Sequence, residues 1–384
     1  MIGDNLSIKV IRDLDEFRNL KDTWNRLSEK HQSHLPWMNW EWFALFLKYF
    51  LTNSTLFILL VHKAEEIAAI APFVIVEKKY KGLLKIKVVQ FISNVHSFSS
   101  FIFGESSMDA RRTIVDKIVR YFRDEYTDWD ILELEKIPEE NNFFSILIDA
   151  LTATSLKNRT YSLKGDWYLD GITYSFSEYS KNLPRIHRKD TNRNKRHLKE
   201  AGNLTFYIKR DVEDLDKYLD LYSELREKSW KAAEKDSSFL REATNLIAEK
   251  GWLRLAFLFF NGAPIASDKW IVWNKIGLAW DGLYDLEFSK YSPGKVLESE
   301  MIEYMIDQEK VFEIDFGEGD EVYKKRWTPK RRERKSITVF NRNIKANILA
   351  LLMIKVLPFF QKHQYLVSAK KRIRDYLKSV DDNV

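Results

Sequence analysis

The 384-residue chain contains no cysteine. That absence excludes disulfides, thiolate metal ligands and a cysteine nucleophile together, and with them a disulfide-stapled secreted fold. No apolar run reaches the roughly 18 residues a membrane-spanning helix needs. Met1 to Ser7 lack the basic start and apolar stretch of a signal peptide, so the expectation is a soluble cytoplasmic protein. His31 and His34, or His187 and His197, have no companion acids or histidines at metal-ligand spacing, and no metal is expected. A Walker loop, a dinucleotide glycine pattern and a Gly-x-Ser-x-Gly elbow are all missing from the sequence. The basic runs come with no DNA-reading module, so DNA is not an expected partner.

What is present is apolar and aromatic in quantity. Apolar residues make up 45% of the chain and aromatics 14%, ample for two packed cores, and the length exceeds what one ordinary core holds. The net charge of +6 is unevenly placed. Lys181 to Lys199 carries Arg185, Arg188, Lys189, Arg193, Lys195 and Arg196 against the single acid Asp190. Lys324 to Lys335 is denser still, with only Glu333 opposing its cations. Such clusters suit a polyanionic partner, either a phosphorylated cosubstrate, nucleic acid or anionic lipid; solvated faces are the plainer reading.

A repeat runs through the chain. The segment Ile8 to Phe17 alternates as a strand and passes into an acidic helix start, and Phe206 to Leu215 has the same design. One constant register sets Arg12 on Arg210, Asp13 on Asp211, Trp24 on Tyr222, Leu27 on Leu225 and Ile67-Ala68 on Ile265-Ala266. The shared register across three elements points to duplication.

The second half reads as strand, two helices, three-strand meander, helix, strand, short helix, strand. Asp211 is the expected N-cap of a helix running to Trp230, and Gly251 closes a second helix from Ser238 to Lys250. Asn261-Gly262 joins the strands Trp252 to Phe260 and Ala263 to Trp273 as a hairpin. Ile276 to Tyr284 follows, then a loop and a helix starting near Pro293, a strand at Val311 to Phe316, and a last strand at Ser336 to Phe340.

The sequences Tyr291-Ser-Pro-Gly-Lys-Val-Leu297, Glu313-Ile-Asp-Phe-Gly317 and Glu321-Val-Tyr-Lys-Lys-Arg-Trp327 resemble the GNAT acetyltransferases of the CelD type. That BioF-like branch is associated with cellulose and exopolysaccharide synthesis and is related to the FemABX ligases, which are double GNAT domains. The resemblance covers Ser175 to Phe340; the first half shares it only by pattern. It implies an α/β chain of tandem duplicated GNAT folds, mixed central sheets flanked by helices. Expected boundaries are 1–165 for a degenerate first domain, 175–341 for the acyltransferase domain and 342–384 for a basic helical tail.

The resemblance implies acyl-CoA as cosubstrate, held by Lys290, Tyr291, Ser292, Pro293, Gly294 and Lys295. A helix start offers unpaired N–H groups and a positive dipole end to phosphate, Gly294 allows close approach, Ser292 can cap or donate, and Lys290 and Lys295 add charge. The segment departs from the usual GNAT loop in having Tyr291 at the Gln/Arg position and Val296 at the third. Asp281 and Glu318 are implied as groups that deprotonate or orient the acceptor, and Tyr323 as the proton donor to the thiolate. Arg185, Arg188, Tyr284, Lys324 and Trp327 are implied for substrate binding, with packing as the alternative for Trp327. The implied reaction is acyl transfer to a hydroxyl or amine of a sugar or cell-envelope precursor. Two alternatives stay open: a Fem-like ligase using aminoacyl-tRNA, and a silent scaffold in a polysaccharide-synthesis complex.

The tail carries its own question. Ile348 to Leu357 is apolar but contains Lys355 and ends at Pro358. Beyond it Leu366, Ile373, Tyr376, Leu377 and Val380 form one helical face opposite Lys370, Lys371 and Arg374. That face fits peripheral contact with the inner side of a membrane, or packing on the protein itself.

Overall fold

The structure is a computed structural model describing residues 6–359, apart from 31–34, 81–83, 94–96, 98–101, 106, 139–141, 232–235 and 357. His31, His34 and the expected amphipathic face from Leu366 to Val380 lie outside the described residues.

The first half runs β1 (Leu6–Ile11), α1 (Leu14–Arg18), α2 (Lys21–Glu29), α3 (Trp40–Phe50), β2 (Ser54–Lys63), β3 (Glu66–Tyr80), β4 (Leu84–Phe91) and β5 (Phe103–Gly104). It continues with α4 (Met108–Arg120), β6 (Ile131–Pro138), α5 (Phe143–Thr154) and β7 (Asn158–Ser162). After β8 (Asp166–Asp170) come α6 (Phe176–Asn182) and α7 (Arg185–Ala201). The second half runs β9 (Leu204–Lys209), α8 (Leu215–Glu227), α9 (Ser237–Glu249), β10 (Leu253–Phe260), β11 (Ala263–Trp273), β12 (Ile276–Tyr284), α10 (Pro293–Asp307) and β13 (Glu313–Glu318). It ends with β14 (Arg331–Arg332), β15 (Arg334–Phe340) and α11 (Ile344–Ala350), which runs on as a π-helical turn, Leu351–Val356.

The local chemistry of the second half explains its boundaries. Asn261 and Gly262 both take positive φ, 49° and 85°, as a tight hairpin turn requires. Gly251, at φ 74°, follows α9 and stops it. The α8 start differs from expectation. Asp214, in left-handed conformation, stands at the N-cap, and Asp211 instead accepts from the Glu213 amide at 3.1 Å and Lys209 at 2.6 Å.

Each half builds a mixed sheet, in the orders β1-β2-β3-β4-β6-β15-β7 and β9-β10-β11-β12-β13-β8-β14, with β5 attached to β3. The repeat register is realised: β1 and β9 are the first strands of their sheets, and Trp24 and Tyr222 are both buried. The sixth position of each sheet is filled from the other half. Arg334–Phe340, which contains the strand Ser336 to Phe340 expected to close the second half, lies between β6 and β7 of the first sheet. Asp166–Asp170 in turn pairs with β13 and β14 of the second.

The two exchanged strands meet at a buried ion pair. Arg334 Nη2 lies 2.5 Å from Asp166 Oδ2, with 6% and 0% side-chain exposure. Gly165 precedes it where the crossing segments touch, because a Cβ there would stand 2.5 Å from the Arg332 carbonyl oxygen. The halves also share a hydrophobic core. Trp42 of α3 packs edge-on against Phe239 of α9 at 5.8 Å and near Trp280 of β12 at 6.0 Å. A second core fills the other face of the second sheet, under α6, α7 and α10.

Candidate active site

Strand β12 parts from β13 after a short run. The two pair in parallel only from Ile276–Leu278 to Glu313–Asp315, so β12 has no β13 partner from Ala279 onward. Trp280 is the extra residue of a bulge against β11, since Lys269 faces Asp281 and Trp270 faces Ala279. Bulge and parting together open β12 from β13, with backbone polar groups of β12 along one side.

The opening has two chemically different faces. On the α8 side, Asp281 lies opposite Lys269 in register. Its Oδ2 accepts from Arg226 Nη1 at 3.0 Å and from the Tyr222 hydroxyl, and its Oδ1 from Lys231. Burial pushes the Asp281 carboxyl up, but Lys231 and Lys269 outweigh it and hold the group below its ordinary value. Asp281 is therefore a fixed anion rather than a base tuned to neutral pH.

On the α10 side stand two acids absent from the sequence expectation. Asp268 is the residue of β11 paired with Gly282, and its Oδ1 lies so close that a Cβ on Gly282 would meet it at 3.1 Å. Burial raises its pKa to about 7, with only the Trp270 indole and Lys231 opposing and Asp281 adding to the rise. Glu298, in the second turn of α10, is raised to about 8, by burial first and then, against the Trp327 indole, by Asp268. The Trp270 and Trp327 indole nitrogens are fully buried and, among the described residues, meet no partner at full hydrogen-bond geometry. The Asp268 carboxylate thus adds to the rise at Glu298, and both acids stand above the ordinary carboxylate range.

Tyr323, 45% exposed, sits at the start of a 3-10 turn Lys324–Arg326, within electrostatic reach of Glu298, Asp268, Glu321 and Asp281. Desolvation first and those carboxylates next push its phenol above the ordinary value. Glu318, at the end of β13, forms an ion pair with Lys136 of the first half at 3.3 Å. Lys324, 4% exposed, donates to the carbonyls of Gly317 at 3.1 Å and Glu318 at 2.8 Å and so braces the end of β13. Trp327 is buried, accepts at its carbonyl from the Tyr179 hydroxyl, and stacks edge-on against His187 at 4.3 Å.

The loop before α10 differs in detail from expectation. Ser292 is left-handed at φ 48° and makes no side-chain cap bond. Gly294 packs closely under Tyr284, whose Cδ1 would lie 3.0 Å from an added Cβ; the Tyr284 ring in turn lies 4.5 Å from Trp230. Pro293 takes the first helical position and is buried, and Lys290 lies over the Tyr291 ring at 4.8 Å. Lys295 is half-buried, and burial followed by the charges of Arg326 and Arg193 lowers its pKa, with Asp190 opposing. Cations crowded at a helix start are a setting that an anion relieves. His187 of α7 is buried beside them, its pKa lowered to about 4 by burial, Lys295 and Arg326. Arg188 is engaged elsewhere, donating to the Ser180 and Lys181 carbonyls at the end of α6, while Arg185 is exposed.

Residues 185–325 match the model of the acetyltransferase (GNAT) domain. No curated protein matches the chain in sequence. Among solved structures it is similar to a conserved protein of unknown function from Bacteroides thetaiotaomicron, at 10% identity and TM-score 0.55, covering 87% of this chain and 100% of that one. It is also similar to FemX, at 12% identity and TM-score 0.56, covering 87% and 98%. At such identities the likeness shows the fold: two tandem GNAT-like units.

Proposed function

Taking as premise an acyltransferase-type enzyme whose second half is a GNAT acetyltransferase domain, we propose that it moves an acyl group from acyl-CoA to an amine or hydroxyl. The acceptor class is a sugar or cell-envelope precursor, and the resemblance of its motifs to the CelD-type branch supports that choice. The observation that carries the reading is the Asp268–Glu298 pair in the opening between β12 and β13.

The residues divide the chemistry as follows. Asp268, at about 7, takes the proton of the attacking N–H or O–H as the new C–N or C–O bond forms. The C–S bond breaks, and Glu298, protonated below about 8, gives its proton to the leaving sulfur. An ordinary thiol has a pKa of about 8.5, so Glu298 is the better-matched donor than the raised phenol of Tyr323. Backbone groups of the freed stretch Ala279–Tyr284 orient the acyl carbonyl. Lys295, with Arg326 and Arg193, supplies positive charge for the phosphates of the donor.

A second reading has its own support. Helix α7 packs beside α10 and presents Arg185, Lys189 and Arg196 to solvent, a basic face suited to RNA. In that reading the donor is an aminoacyl-tRNA. The chain lacks cysteine, so release of the CoA thiol can be followed with a thiol reagent free of protein background. Incubation with acetyl-CoA and amino-sugar acceptors is expected to release thiol, unaffected by ribonuclease. Absence of release, together with ribonuclease-sensitive aminoacyl transfer, would overturn the acyl-CoA reading in favour of the second.

A further inference from the structure

Helix α11 and the turn that continues it are apolar apart from Lys345, Asn347 and Lys355. Ala346, Leu349 and Ala350 are buried against Ile86, Val88, Ile131 and Phe340, which anchors the helix to the first sheet. The opposite side is no less apolar. Ile344 is 80% exposed, Ile348 50% and Leu351 53%, three residues spaced as one helical stripe, and Phe359 beyond them is 55% exposed. An exposed apolar stripe of this kind marks a contact surface.

Lysines flank the stripe, and residues 344–359 hold no acid. Lys345 and Lys355 flank it on the helix, and Lys345 Nζ reaches the Lys85 carbonyl at 3.4 Å, which sets the exposed Lys85 alongside. Lys157, also exposed, donates to Asn347 Oδ1 at 2.7 Å. From Arg342 to Lys378 the sequence holds nine lysines and arginines and the single acid Asp375. We infer that the outer face of Ile344–Val356 is a docking surface for an anionic lipid bilayer. Apolar side chains enter the headgroup boundary while the lysines around them meet lipid phosphates, the pattern of interfacial helices. A protein groove would call for acidic complements to particular lysines, whereas a bilayer needs only cations of one sign around an insertable stripe.

The test uses the full chain with vesicles of phosphatidylcholine alone or mixed with phosphatidylglycerol. Wild-type protein is expected to sediment with the anionic vesicles only, and binding should fade as salt rises. The pair Ile348→Glu and Leu351→Glu, at exposed positions, should abolish sedimentation with the melting temperature unchanged. The pair Lys345→Glu and Lys355→Glu should weaken it by about tenfold or more, each cation near the surface contributing to the attraction. Wild-type protein that stays in the supernatant overturns the inference. A double-glutamate variant with a lowered melting temperature and unchanged sedimentation overturns it too, by showing that the chain's own tail covers the stripe. So does a concentration-dependent dimer that the same variant dissociates.

Discussion

Replacing Asp268 by asparagine keeps size and shape but removes the proposed base. General-base groups contribute about 10²–10⁴ in rate, or about 3–5 kcal/mol of barrier, so kcat should fall by that factor with little change in donor KM. The pH profile carries more information than the magnitude. In the wild type Asp268 must be ionised and Glu298 protonated, so the rate should rise through about 7 and fall beyond about 8, a narrow bell. The Asp268→Asn substitution erases the lower limb. It also removes the carboxylate that raises Glu298, so the upper limb of the residual activity should move down, burial alone still holding it above the ordinary value. Stability gives an independent sign. A carboxyl raised on folding binds more protons in the native state, so its contribution falls as pH rises from the unfolded value of about 4 to about 7. The variant should therefore be at least as stable as wild type at pH 8. The assay is thiol release between pH 5.5 and 9.5, with thermal unfolding across the same range. Full turnover in the variant, or an unchanged lower limb, would refute the assignment of the base.

Other consequences follow from the same geometry. Glu298→Gln should remove the limb above about 8, whereas Tyr323→Phe should cost under about tenfold, because a phenol raised above a thiol's range is the poorer donor; kcat against pH for both variants decides the order. Gly294→Ala must displace the Tyr284 ring and should raise donor KM with the fold intact, while Gly294→Glu should abolish donor binding, as calorimetry with acetyl-CoA would register. Arg334→Ala strands the buried Asp166 carboxylate and should destabilise the chain by about 3–5 kcal/mol. Burial already raises Asp166 to about 6, so that loss should be larger at pH 8 than at pH 5 in denaturant titrations.

Much of the second half was legible because its punctuation is local. Asn261-Gly262, Gly251 and Pro293 each act through their own backbone, and the elements they bound fall where the sequence places them. The repeat register likewise set Ile8 on Phe206, and both lie in the first strand of a sheet. Partnership was not legible. Alternation in Ser336 to Phe340 declares a strand but carries no signal for which sheet receives it, and the exchange depends on the distant meeting of Arg334 with Asp166. The acids of the site were missed for a related reason. Asp281 stands out in a Trp-Asp-Gly setting, yet three donors from α8 and the segment after it fix it as an anion. Asp268 and Glu298 read as ordinary polar positions, and only the closing of α10 over the bulged meander shields them from water. A signal was available: Asp268 and Lys269 interrupt an otherwise apolar central strand, where a charge needs a reason.

Hydrogen exchange of the full chain with and without acetyl-CoA tests the central claim most directly. The account predicts slowed exchange at the amides of Ala279–Tyr284, which lack β13 partners, and at those of Gly294 and Lys295 at the start of α10, with Asp268→Asn giving the same protection. Acetyl-CoA that leaves these amides unprotected, or protects only segments of the first half, would contradict it.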